Sequence, residues 1–108
     1  MKQYTPRAAC LNTALQYVTK DRNATHGDPE ENFTIIADLW QKYMEQRGVE
    51  VRVEPEDVAV MMILFKIART ITGEPNADNW VDIAGYAACA CEIQTRQFMY
   101  EGSDEACE

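Results

Sequence analysis

The sequence predicts an all-α protein built as a four-helix bundle, and three observations lead there. Four stretches repeat apolar residues at helical spacing, each opens on its own start signal, and polar segments join them. The one alternating stretch, VEVRV at 49–53, has no second strand to pair with and reads as an extended connector. A chain of 108 residues with 46% hydrophobic content can fold around one modest core rather than stay disordered. Residues 1–100 therefore read as a single helical domain and 101–108 as an acidic tail.

Thr5-Pro6 supplies an N-cap followed by proline at the first helical position, where a missing N–H costs nothing. Ala8, Leu11, Ala14, Leu15 and Val18 then recur at helical spacing, giving a first helix over 6–19. A polar connection, KDRNATHG, leads to Asp28-Pro29-Glu30-Glu31, a second start with Asp28 as cap and Glu31 placed for a capping box. The stripe Phe33, Ile36, Ala37, Trp40, Tyr43 and Met44 defines a second helix over 29–46, closed by Gly48. The third helix, 55–72, opens on Pro55 with Glu56 and Asp57 at the positive end of its dipole and stops at Gly73 and Pro75. It is apolar nearly all round, yet too short and too charged to span a bilayer. The fourth helix, 79–99, carries Trp80, Ile83, Ala84, Ala87, Cys91 and Ile93 as its expected core stripe, with Gly85, Ala87, Ala88 and Ala90 small enough for close packing. A lone small domain cannot enclose the third and fourth helices, so a homodimer or tetramer packed through them is expected.

The formal charge is -8, and four of the acids (Glu101, Asp104, Glu105 and Glu108) lie in the tail, so the body is only mildly acidic. No basic stripe is available to replace counterions, which argues against direct nucleic-acid binding. Cys10, Cys89, Cys91 and Cys107 have no zinc-binding spacing and read as small buried thiols of a reducing cytoplasm. No leader or membrane segment is expected.

The polar groups that the fold does not require are the candidate site. Glu31 and Asp38, two turns apart, can share one face of the second helix; Asp57 opens the third helix; Asp78 and Asp82, one turn apart, open the fourth. Hard oxygen ligands from several helices are what Mg²⁺ requires, but Glu31, Asp57 and Asp78 equally suit capping and dipole roles. Lys66 and Arg69 share a face of an enclosed helix and need anionic partners, either a ligand's phosphates or Asp82 and Asp57. His26 in the first polar connection is either a phosphate or base contact or an exposed loop residue. Trp40 and Trp80 read as core or interface before base-stacking platforms.

The order DRNATHGDPEENF, PEDVAVMMILFKIAR and NWVDIAGYA resembles a family of small phage and prophage proteins of unknown function, over about 21–92. That family more distantly resembles the MazG-like all-α nucleotide pyrophosphohydrolases. The latter resemblance implies four-helix units assembled as dimers or tetramers. It also implies Mg²⁺ held by an EExxE motif on one helix and an ExxD motif on the next, and cleavage of a nucleoside triphosphate to monophosphate and pyrophosphate. Asp82 falls where the Asp of ExxD lies, with Asn79 in place of its Glu; Phe65, Lys66 and Arg69 replace the acids of EExxE. With Asp82 matched by the resemblance and the other acids placed near it by their helix positions, Glu31, Asp57 and Asp82 are the expected catalytic acids and Glu31, Asp38, Asp57, Asp78 and Asp82 the expected Mg²⁺ ligands. His26, Lys66 and Arg69 are the expected nucleotide contacts. The alternative is a non-catalytic nucleotide-binding or structural protein that keeps the fold, in the host cytoplasm if phage-encoded.

Overall fold

The computed structural model describes residues 5–21 and 28–100. Those residues form four α-helices and no strand: α1 (Pro6–Gln16), α2 (Pro29–Gln46), α3 (Pro55–Thr72) and α4 (Ala77–Tyr100). A wider π-type turn, Tyr17–Asp21, extends α1. The starts of α1, α2 and α3 carry the expected prolines. Thr5 accepts a hydrogen bond from the Ala8 N–H at 3.2 Å. Gly48 takes a positive φ of 85° just beyond α2, the left-handed closure glycine permits. The 49–53 stretch pairs with no strand among the described residues and is tied down by the Val53 N–H donating to Gln41 Oε1 at 2.8 Å.

Two cap expectations exchange places. Asp28 stands at the N-cap of α2 but makes no capping bond, because Arg96 of α4 takes its carboxylate. A reciprocal capping box forms instead on α3, where the Glu54 side chain accepts from the Asp57 N–H and Asp57 Oδ2 accepts from the Glu54 N–H at 2.8 Å.

α3 and α4 pack most extensively on each other; α1 lies on α4, and α2 on α3. The core is small. Phe33 and Ala37 of α2 meet Val58 and Ala59 of α3 and Cys89 and Ile93 of α4, and among the described residues Phe33, Ile93 and Val58 are the large side chains fully buried. Tyr86 lies 6.3 Å from Phe33, ring centre to ring centre. The buried row of α4 is Val81, Gly85, Cys89 and Ile93, one helical turn apart each time. This corrects the expected stripe: Trp80 and Ala87 face outward, since α1 and α3 flank the 81–93 row instead. Gly85 is the close-approach point, where an added Cβ would stand 3.4 Å from Val18. Leu11 and Leu15 of α1 and Tyr43 of α2, expected in the core, are likewise exposed. Cys89 is a buried thiol and Cys10 a half-buried one, whereas Cys91 is disulfide-bonded, contrary to the expectation of thiols throughout.

Arg96 joins the N-terminus of α2 to α4. Its guanidinium donates to both Asp28 oxygens at 3.1 and 3.2 Å and to Glu30 at 2.7 Å, with Glu92 a turn away on α4. Arg96 holds the Asp28 carboxyl below its ordinary value of ~3.9. A lowered folded value means that the contribution is complete above ~3.9 and is lost as pH falls below it. These groups are partly solvated, so the effect should be below about 1 kcal/mol. Urea unfolding midpoints at pH 5 and pH 3 should differ less in Arg96→Gln than in the parent chain; an equal difference would detach Asp28 from Arg96.

Candidate functional site

The candidate acids do not gather. Among the described residues no three His, Cys, Asp or Glu side chains meet in a way that could hold a metal ion. Glu31 and Asp38 are on α2 but exposed, Asp38 close enough to Arg52 for its charge to be felt there. Asp57 is occupied by the α3 capping box. Asp78 is exposed in the first turn of α4, its N–H donating to Asn76 Oδ1 at 2.8 Å. Asn79, in the position the resemblance gives to an ExxD glutamate, is buried. His26 lies outside the described residues. Among the described residues, the acids present therefore do not form a donor set for a Mg²⁺ ion within one copy.

What does come together is Lys66 and Asp82. Lys66 Nζ stands 2.7 Å from Asp82 Oδ2, with side chains 15% and 30% exposed. The antiparallel packing of α3 and α4 sets the two residues opposite each other, and each compensates the desolvation of the other. Phe65 adds to this end of α3, its ring centre 6.0 Å from Lys66 Nζ and 4.6 Å from the Arg69 guanidinium carbon. Arg69 is exposed and does not pair with Asp57, because twelve residues of one helix separate them by about 18 Å. So of the two ion pairs considered for these cations, one forms and the other is geometrically excluded.

Glu56 is a feature that nothing in the sequence singles out. Its Oε1 is shut away from solvent without a hydrogen-bond partner among the described residues. Nothing in the spacing of the first turn of α3 distinguishes it from a solvated dipole-complementing acid, which is why reading the residues missed it.

A family model described as a domain of unknown function, DUF6378, matches residues 9–94. The chain belongs to the DUF6378 family. Two phage proteins are similar to it: the Gene 55 protein of Mycobacterium phage L5, 48% identical over 84 residues, and the Gene 55 protein of Mycobacterium phage D29, 39% identical over 83. These alignments cover 78% and 77% of this chain but 51% and 52% of the relatives, so this DUF6378 chain spans about half their length. No solved structure matches it. The DUF6378 match takes in α2, α3 and most of α4, and with them every core residue and the Lys66–Asp82 pair. No described helix is long and apolar enough to cross a membrane.

Proposed function

We propose that this chain is a non-catalytic interaction protein, which works by presenting apolar helix faces to other protein surfaces. One observation carries the reading: the described residues leave more large apolar side chains exposed than buried. Leu11 and Leu15 on α1, Ile35, Leu39 and Tyr43 on α2, and six residues of α3 stand in solvent around a core of three large side chains. A surface of this kind marks protein contact. Two of the three expected catalytic acids are already engaged, Asp57 by capping and Asp82 by Lys66.

The second reading is Mg²⁺-dependent cleavage of a nucleoside triphosphate to monophosphate and pyrophosphate. Asp78 and Asp82 favour it, one turn apart at the start of α4 and both reached by solvent, at a position resembling ExxD. A second copy would have to complete the donor set. The test is a panel of nucleoside triphosphates with Mg²⁺, read for pyrophosphate and monophosphate. The interaction reading expects no turnover above buffer. Pyrophosphate release that disappears in Asp82→Asn would overturn it in favour of the hydrolase.

A further inference from the structure

Among the described residues, the outward face of α3 carries the longest row of exposed large apolar side chains. Val60, Leu64, Ile67 and Ile71 are 52%, 59%, 40% and 78% exposed. Their spacing of four, three and four places them in one line along the helix, within about 60° of arc. Met61, Phe65 and Ala68 form a second exposed row beside them. No charge interrupts the row from Val60 to Ile71, because Lys66 turns inward to Asp82 and Arg69 lies over the Phe65 ring at the edge of the second row.

We propose that this face is occupied by the same face of a second copy, packed antiparallel, an inference that rests on the interaction reading above. Three considerations select that occupant. With a large side chain presenting on the order of 200 Å² in full, the six exposed residues of α3 offer roughly 600 Å², close to the ~800 Å² per partner of a stable interface. The chain carries a charge of -8, so two copies can approach without setting like charges together only where charge is absent. The α2 row Ile35, Leu39 and Tyr43 is flanked by Asp38 and Lys42, whereas the central α3 row of Val60, Leu64, Ile67 and Ile71 has its one exposed cation, Arg69, on the far side of the Phe65 row. Finally, the spacing is symmetrical about the midpoint between Phe65 and Lys66, so a two-fold axis there sets Val60 against Ile71 and Leu64 against Ile67 of the other copy. The antiparallel sense also opposes the helix dipoles and holds the acidic first turns, with Glu54, Glu56 and Asp57, roughly 28 Å apart.

Sedimentation equilibrium at micromolar concentration tests this with the wild type, Leu64→Glu on α3 and Leu39→Glu on α2. A dimer is expected for the wild type and Leu39→Glu, and a dissociation constant weakened roughly a hundredfold or more for Leu64→Glu with helicity kept. A dimer that survives Leu64→Glu but is lost in Leu39→Glu overturns the α3 pairing and leaves the interaction reading standing. A monomeric wild type that also binds no other protein removes both. Because Leu64→Glu could unfold an obligate dimer, the register is read separately by disulfide cross-linking. Mixed Leu64→Cys and Ile67→Cys chains should cross-link to each other in preference to Leu64→Cys with itself. The reverse preference overturns the antiparallel arrangement.

Discussion

Phe33→Ala should unfold most of the protein at physiological temperature. Phe33 is one of three large side chains fully buried and joins α2 to Val58 and Ala59 of α3 and Cys89 and Ile93 of α4. Removing a buried Phe costs about 3–5 kcal/mol, through lost transfer energy and the cavity left behind. Domains of this size have only about 5–15 kcal/mol in all, and a core of three large residues puts this one at the low end. Chemical denaturation followed by circular dichroism should show the midpoint collapse. Leu39→Ala, a similar truncation on the exposed side of the same helix, should move the monomer's stability little. Equal losses for the two variants would mean that the α2 face is packed differently.

Asp82→Asn is the second large effect. The amide still fits, but it leaves Lys66 at 15% exposure without its carboxylate 2.7 Å away. Breaking a fully buried pair costs about 3–5 kcal/mol; with Asp82 partly in contact with water, about 1–3 kcal/mol is expected. Calorimetry at fixed protein concentration, with dimer dissociation held constant, should show the loss. Lys66→Met alone should cost less, since a methionine fills the lysine stem's place beside Phe65 and the Asp82 carboxylate can turn to solvent. A melting point unchanged by Asp82→Asn would mean that the carboxylate is not spent on Lys66.

Much of this fold was legible because each helix announces its start locally. Thr5-Pro6, Pro29 and Pro55 stand at helix starts, Gly48 takes the left-handed conformation just beyond α2, and the observed ranges differ from the expected ones only at the ends. Long-range partners were not legible. That Arg96, 68 residues downstream, would take Asp28 from its capping role depends on how α4 returns to α2, which no local pattern encodes. The direction of each face was also misread by one position on α4, where Trp80 and Val81 are equally apolar and only the neighbouring helix decides which turns inward. At the site, the sequence offered Asp82 both a metal and a lysine; the packing of α3 on α4 puts the lysine there. The Arg69–Asp57 pairing could have been excluded from the sequence, since one continuous helix carries both.

The measurement that bears most directly on whether Asp82 serves packing rather than chemistry is a double-mutant cycle between Lys66 and Asp82. It compares wild type, Lys66→Met, Asp82→Asn and the double variant by thermal unfolding, with and without Mg²⁺. A coupling energy of about 1–3 kcal/mol is expected, with the double variant recovering stability over Asp82→Asn and no response to Mg²⁺ in any member. A coupling near zero, together with a wild type stabilised by Mg²⁺ and an Asp82→Asn variant that is not, would contradict the packing role.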